Sequence, residues 1–386
     1  MPGVRVLGTP IACESTVAAD IEAGIKGAFN DIVAALTRPL TAEEKNPQPK
    51  TDPAPRIAFK GNFQEVNQFF YRKGWGDGLP IVPPSEAAVA EMLTGTSLPA
   101  NHMVAKLIPR LGKATVEKIA VNAVMAGALP VHMPVLIAAV QALSDPKTRF
   151  DTFEVSTGSW APFLLLNGPI RNDINLNCSS GALSPGNIAN SAIGRAVGLI
   201  VKNIGGARKA IEDMGTLGNP GKYALVLGEF EEESPWSPLH VDRGFGKTDS
   251  VLTVFFPNRY TQSIPAQTNA QGIATSLAAM GPGSLSALIV IPDHARIFNS
   301  EGWTKKQVRD FIIKSSADAG SARRGGPLTD EDFIVVVAGG PGVWHGLHQS
   351  AGGFENSFVS KKIELPSNWD KLVAKYKNLV PNYVTY

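Results

Sequence analysis

Apolar residues along this chain fall into two kinds of run. Longer runs repeat at helical spacing, most clearly over 187–204, which is apolar on nearly every side and is followed by a Gly-Gly stop. Shorter, β-branched runs have the length of strands, and helical stretches separate the later ones. The strand-length runs are Pro162–Leu166, Tyr223–Leu227, Val251–Phe256, Ala287–Ile291 and Phe333–Val337. This pattern predicts an α/β fold with mixed sheets and helices on their faces.

Capping residues predict where several helices begin. Two capping boxes and one serine cap precede helical runs, and the first of these runs ends at a glycine. The predicted caps are Asn62 with Glu65, Ser85, and Thr304 with Gln307. A strand–proline–helix pattern occurs at Leu79–Leu93 and again at Leu288–Phe298, which suggests a duplicated unit.

One stretch, Ile119–Leu143, is apolar enough to resemble a membrane span. Asn122, His132 and two prolines interrupt it, which a span within lipid does not tolerate well. We therefore expect two buried helices, at about 114–127 and 134–143.

The first 36 residues have the pattern of a single βα unit. Val4–Leu7 predicts a short strand, and Ser15 or Thr16 can cap the helix that follows to about Leu36. One strand and one helix cannot bury a sheet edge alone, and residues 37–58, with five prolines among charges, resemble a linker. We expect residues 1–36 to complete a sheet with another chain. Residues 59–386 then form a large α/β region, either undivided or split into subdomains at about 59–215 and 216–386.

Composition narrows the choice of partners. Hydrophobic residues make up 44% of the chain and charged residues only 18%, which is below the roughly 25% of an average soluble chain. Part of the surface is therefore expected to be buried against another protein. A net charge of +2 without a long basic block argues against nucleic acid. Two distant cysteines exclude a disulfide framework, and we expect a cytoplasmic protein without a membrane association.

Glycine-rich turns before the 187–204 helix form the first candidate site. Asn167, Arg171 and Asn187 lie in these turns, where backbone N–H groups bind anions and a guanidinium can hold a carboxylate. Alternatively, the asparagines and glycines only cap and turn a buried helix. Cys178 lies near the predicted helix start, which would lower the pKa of its thiol, or it is a buried and inert thiol.

A second candidate site follows an acidic run at 229–233. Within a few residues the chain offers an indole, an imidazole, a carboxylate and a guanidinium, a set suited to acid–base chemistry. These are Trp236, His240, Asp242 and Arg243. The alternative is a solvated acidic face with a histidine that only holds the loop. Both Arg171 and His240 lie in turns, so we expect their alanine variants to remain folded and to lose function.

A metal site would need more ligands than His240 and Asp242 provide. Glu229 or Glu232 could supply a further ligand, as could His345 or His348, which follow the predicted strand at 333–337. The spacing of those two histidines suits ligands on a helix, but the neighbouring glycines make a helix doubtful. The set chosen as candidate ligands is His240, Glu232 and His345.

Several separate motifs over roughly residues 60–350 resemble the UGSC (seleno)protein family. The motifs are Gly76-Asp77-Gly78-Leu79-Pro80, Val121–Gly127, Asn167-Gly168-Pro169-Ile170, Pro185-Gly186-Asn187 with Asn190, Gly194-Arg195, and Pro235-Trp236 with Pro238-Leu239-His240. In that family the large region accompanies a small α/β domain with a Cys/Sec-Gly-Ser-Cys loop. Residues 1–36, with Ile11-Ala12-Cys13-Glu14-Ser15, resemble only the late half of that domain, and the Cys-Gly-Ser-Cys loop is missing. The resemblance implies that the redox centre is absent or that a separate small subunit supplies it.

Two functional hypotheses follow. The first is the large subunit of a hetero-oligomeric enzyme that acts on a small polar or anionic metabolite, by redox or lyase chemistry that depends on a divalent metal or on a thiol from the partner. Its expected catalytic residues are His240, Asp242, Arg243 and Cys178, and its expected substrate-binding residues are Asp77, Asn167, Arg171, Asn187, Arg195 and Trp236. The second is a non-catalytic binding or assembly subunit that stabilises a catalytic small subunit.

Overall fold

A computed structural model describes residues 5, 7–8, 17–47, 55–279, 285–318, 333–349 and 358–379. The chain divides into two compact units, Met1–Lys60 and Gly61–Tyr386. Cys13, the cap candidates Ser15 and Thr16, and half of the predicted strand Val4–Leu7 lie outside the described residues.

The described residues of the first unit include two helices, α1 (Ala18–Thr37) and α2 (Ala42–Lys45). Arg5 joins them, because its guanidinium donates to both Glu44 carboxylate oxygens, at 3.0 and 3.1 Å, and to the carbonyl oxygen of Arg38 at 2.9 Å. The segment after α1, for which the sequence predicts a linker, therefore begins with a helical turn held by Arg5.

The second unit is a mixed α/β structure, which confirms the predicted fold class. Its helices are α3 (Phe63–Lys73), α4 (Glu86–Leu93), α5 (Val116–Met125), α6 (Met133–Leu143), α7 (Phe150–Phe153), α8 (Ile170–Asp173), α9 (Ile188–Ile200), α10 (Leu239–Asp242), α11 (Ala270–Ala279), α12 (Pro292–Ser300), α13 (Lys305–Asp318) and α14 (Trp369–Tyr376). Its strands are β1 (Met103–Leu107), β2 (Gly112–Thr115), β3 (Phe163–Asn167), β4 (Val226–Gly228), β5 (Val251–Phe255), β6 (Arg259–Ser263), β7 (Leu285–Val290), β8 (Ile334–Val337), β9 (His345–Gln349) and β10 (Val359–Lys362).

In the part of the second unit that the structure describes, the strands form two four-stranded sheets, and β1 and β2 form a separate hairpin. The first sheet has the order β10-β5-β3-β4 and the second has the order β6-β9-β7-β8. In each sheet the last two strands are parallel and the other neighbours are antiparallel. The parallel strands require helical crossovers, which α8 and α9 provide in the first sheet and α12 and α13 in the second.

Successive side chains of each strand point to opposite faces of its sheet, and this gives the second unit four layers. Phe163 and Leu165 face the second sheet, where they share a core with Ile289 and Val336. The intervening residues of the first sheet pack against α5, α6 and α9, and those of the second sheet pack against α11, α12 and α13. The described part of the second unit is therefore built as helices, sheet, sheet, helices, with the sheets face to face.

The two sheets repeat one arrangement. Strands β3, β4, β5 and β6 follow one another in the chain, as do β7, β8, β9 and β10, and the first three strands of each set share a sheet. The fourth strand crosses over in both sets, so β6 completes the second sheet and β10 the first. The repeat predicted from Leu79–Leu93 is wrong, because residues 79–82 form no strand and the repeated unit begins at β3 instead.

Most predicted elements are confirmed. The capping boxes at Asn62 and Thr304 are present, Ser85 caps α4, and Ile119–Leu143 consists of two buried helices. None of the described helices is both long and apolar enough to cross a membrane. A division at residue 215 would separate β3 from β4, which are paired, and residues 61–386 cluster as one unit.

Candidate functional site

The predicted site residues lie in two separate places, at opposite ends of β3. Asn167, Arg171, Cys178 and His240 lie at its carboxyl end, between the two sheets. Asp77 and Arg195 contact each other instead beside a large cleft, which Pro162 also lines just before β3 begins.

A network of carboxylates occupies the carboxyl ends of β3 and β4. Asn167 donates its amide to Glu229 Oε2 at 2.6 Å and to Glu231 Oε1 at 3.0 Å. Arg171 donates to the Glu229 carbonyl oxygen at 2.7 Å and to both oxygens of Glu232 at 3.1 Å. Asn167 and Glu229 are fully buried and Arg171 is 2% exposed. We call these five residues the carboxylate network, and three of its five members are buried.

His240 borders this network. Its ring is fully buried, its Nδ1 lies 3.8 Å from Glu231 Oε1 without a hydrogen bond, and its Nε2 lies 3.4 Å from the Lys247 carbonyl oxygen. The prediction that Arg171 and His240 lie on surface turns is therefore wrong. Arg171 lies in the short helix α8 and His240 in α10, and both residues are buried at the end of the apolar layer between the sheets. Their burial depends on segments far along the chain, which the local turn-forming sequence does not reveal.

Cys178 is buried beside the same network. Its Sγ lies 3.9 Å from Arg171 Nη1. Burial raises the pKa of the Cys178 thiol to about 11, against the opposing effect of the Arg171 charge. Of the two alternatives for Cys178, the buried thiol is confirmed and the lowered pKa is wrong, because the residue precedes α9 by ten positions and is enclosed by protein.

The other residues expected near this site have structural contacts. Asn187 caps α9, since its Oδ1 accepts from the Asn190 backbone N–H at 3.1 Å. Arg243 donates to the Phe358 carbonyl oxygen at 2.9 Å, and Asp242 pairs with a lysine at the start of α13 at 2.9 Å. Trp236 packs against the outer core of the second sheet.

The structure does not assemble the candidate metal ligands. Among the described residues, no three His, Cys, Asp or Glu side chains converge in a way that could hold a metal ion, so His240, Glu232 and His345 do not form a site there. His345 instead contacts His294 through its Nε2, and burial lowers the pKa of His345 to about 3. The segment after residue 344 is the strand β9, not a helix.

A cleft of about 490 Å³ lies near the start of β3. The loop after α3, the carboxyl end of α9 with the residues that follow it, and residues 207–223 form its walls. Six basic and three acidic side chains line it: Lys73, Arg195, Lys202, Arg208, Lys209 and Lys222, with Asp77, Glu154 and Asp213. We call it the basic cleft. Its excess of positive charge suits an anionic ligand.

Arg195 and Asp77 fix one wall of the basic cleft. The Arg195 guanidinium donates to the two Asp77 oxygens at 2.7 and 2.9 Å, and to the Pro80 carbonyl oxygen at 2.8 Å. These bonds hold the glycine-rich loop against α9. Asp77 and Arg195 thus lie in one site, as partners of each other.

Glu154 forms the floor of the same cleft. It is 5% exposed, and its carboxylate lies 3.8 Å from the Lys222 ammonium, which is 2.8 Å from Asp213. Burial raises the pKa of the Glu154 carboxyl to about 7; the Lys222 charge opposes this and the Asp213 charge adds to it. A carboxyl group that titrates near neutrality in a large cleft can donate and accept a proton.

Sequence reasoning missed Glu154, Lys202 and Lys222. Glu154 belongs to no motif, and its environment arises from residues up to 68 positions away. Lys202 did leave a signal, because it follows Arg195 by seven positions and two helical turns place such residues on one face.

The chain matches no protein-family model, no curated protein and no solved structure. The resemblance of its motifs to the UGSC family remains a prediction. The functional argument therefore depends on the geometry of the basic cleft.

Arg171 is expected to be structural. Arg171→Ala should lower the free energy of unfolding by about 3 kcal/mol or more, because it removes a buried guanidinium that donates to the Glu229 carbonyl oxygen and pairs with Glu231 and Glu232. The matched control is Arg296→Ala, which removes a half-exposed guanidinium paired with Glu233 and Asp293 and should cost less than about 1 kcal/mol. Urea unfolding compares them. Equal midpoints for the two variants would contradict the structural assignment.

The stability of the protein is expected to depend on Glu154 between pH 4.5 and 7. The folded carboxyl keeps its proton up to about pH 7, whereas the unfolded one releases it near 4.5. The folded state therefore binds more protons in this window, and the stability of the wild type falls as the pH rises, by about 3 kcal/mol from this group.

Glu154→Gln should remove that dependence, so that the wild type loses stability relative to the variant from pH 4.5 to 7. Urea unfolding at several pH values measures the difference. Glu364→Gln, at an exposed position, is the control and should follow the wild type at every pH. A wild-type profile parallel to that of Glu154→Gln would show that Glu154 titrates normally.

Proposed function

We propose that this protein is an enzyme subunit that binds a small anionic metabolite in the basic cleft and transfers a proton there through Glu154. The observation that carries the proposal is a buried carboxyl with a pKa of about 7 in a cleft of about 490 Å³ with six basic side chains. Cations supply binding energy for the anion, and Glu154 supplies a group that changes charge near neutral pH.

Proton transfer favours lyase chemistry over thiol chemistry in this chain. Cys178 is buried and its pKa is raised to about 11, so it is a poor nucleophile at neutral pH. Glu154 in contrast lies in a cleft with room for a metabolite. Of the two reaction classes expected from the sequence, the lyase class has the better support from this geometry.

Anion binding tests this proposal directly. Inorganic phosphate and citrate should bind in isothermal titration calorimetry. Lys209→Gln should raise their Kd about tenfold, because the loss of one charged contact costs about 1.4 kcal/mol of binding free energy. Lys306→Gln is the matched control, since Lys306 is exposed and pairs with Asp310 at 2.6 Å outside the cleft. If both variants bind like the wild type, the cleft is not the anion site.

We further propose that the first unit docks on a small partner subunit. Four apolar side chains follow one face of α1 at spacings of four, four and three residues, and they are between 40% and 80% exposed: Ile25, Phe29, Val33 and Leu36. A contiguous apolar stripe on a helix is typical of an interaction surface. The family resemblance supports a partner that carries the missing half of the small α/β domain.

Co-expression with the neighbouring reading frame should yield a hetero-oligomer in size-exclusion chromatography with light scattering. Phe29→Asp should abolish it, because a charge would be buried in the apolar contact. Asn30→Asp, at an exposed neighbouring position, controls for the added charge. The docking proposal fails if the lone chain is an active monomer whose helix α1 resists hydrogen exchange.

A further inference from the structure

Lys202 occupies an unusual backbone position in the basic cleft. It belongs to a π-helical turn, Val201–Gly205, that continues directly from α9. Such turns are rare and occur frequently at functional sites. The wider turn presents the lysine to the cleft wall, where its ammonium donates to the Gly76 carbonyl oxygen.

The surroundings of Lys202 favour a reactive amine. The Asp77 carboxylate, which also lines the cleft, is already held by two hydrogen bonds from Arg195. Burial lowers the pKa of the Lys202 ammonium, the Asp77 charge opposes this, and the charge of Lys209 adds to it. Desolvation and a second cation nearby are the two conditions that make a lysine nucleophilic near neutral pH.

The cleft also supplies what an imine-forming reaction needs. Loss of water from the first adduct requires an acid, and Glu154 retains a proton up to about pH 7. The basic side chains favour a substrate with a carboxylate, and Leu199 and Pro162 provide apolar wall for a carbon chain. A carbonyl group next to a carboxylate fits this combination.

We propose that the substrate of the basic cleft is a 2-oxo acid and that Lys202 forms an imine with it. The Lys202 amine adds to the carbonyl carbon, which forms a C–N single bond, and the carbonyl oxygen becomes a hydroxyl by taking one proton from the amine nitrogen. Glu154 protonates this hydroxyl, the C–O bond breaks with loss of water, and the nitrogen lone pair completes a C=N bond. The products are one protonated imine, one water and the Glu154 carboxylate, so no oxidant or reductant is needed. The protonated imine then withdraws electrons from the neighbouring carbon, as a lyase requires. This inference rests on the proposed function, because it uses the cleft as an anion site.

Reductive trapping tests the imine. The full chain is incubated at neutral pH with pyruvate or 2-oxoglutarate and sodium cyanoborohydride, and its intact mass is measured. One saturable adduct is expected, with the mass of the 2-oxo acid less one oxygen atom, and peptide mapping should place it at Lys202. Lys202→Met should lose at least nine-tenths of this label, whereas the surface control Lys306→Met should keep it.

The outcomes separate the two proposals. Lys202→Arg keeps the positive charge but cannot form the imine, so it should lose the label, and its titration with phosphate reports whether the cleft is intact. Label spread over surface lysines, or unchanged in Lys202→Met, overturns the imine. If phosphate and citrate bind but no adduct forms, the imine is wrong and the anion site stands. If the anions do not bind and no adduct forms, both are wrong.

Discussion

The apolar contact between the two sheets is the constraint on which the second unit depends. Each sheet offers one face to its partner and one to helices, so strands β3, β5 and β8 are buried along their whole length, whereas the edge strand β6 is largely exposed. On the inner face of the first sheet, Phe163 stacks on Phe255 with ring centroids 4.6 Å apart, and Phe255 contacts Phe358 just before β10. Ile289 and Val336 of the second sheet belong to the same core. Because this layer is apolar and buried, any polar group within it needs a hydrogen-bond or ion-pair partner from the protein.

That requirement explains the carboxylate network. The turns after β3 and β4 lie at the end of this apolar layer, and they contain asparagine, arginine and glutamates. Arg171 neutralises Glu231 and Glu232 at 3.1 Å, while Asn167 donates to Glu229. Residue types that resemble a catalytic set can thus serve to close the edge of a core. The basic cleft differs because its charged groups surround open space.

The sequence predicted local features of this molecule well and distant contacts poorly. Helix caps such as Asn62 and Thr304 are set by neighbouring residues, and apolar runs such as β3 are recognisable from their composition. Strands β6, β9 and β10 were not predicted, because two of them are partly polar edge strands and their pairing is decided by residues far along the chain. The same reason applies to Glu154, whose raised pKa depends on burial by other segments, and to Cys178, whose burial reverses the effect expected from its position.

The exchange of strands β6 and β10 makes each repeat depend on the other to complete its sheet. Each repeat makes three strands of its own sheet and donates the fourth to the other, so a protein with only one repeat would be left with an open sheet edge and an unpaired strand. Two copies of such a protein satisfy each other through reciprocal exchange, which makes a symmetric dimer the smallest closed form. Within this chain the two repeats make the same exchange with each other, so both sheets gain their fourth strand without a second copy.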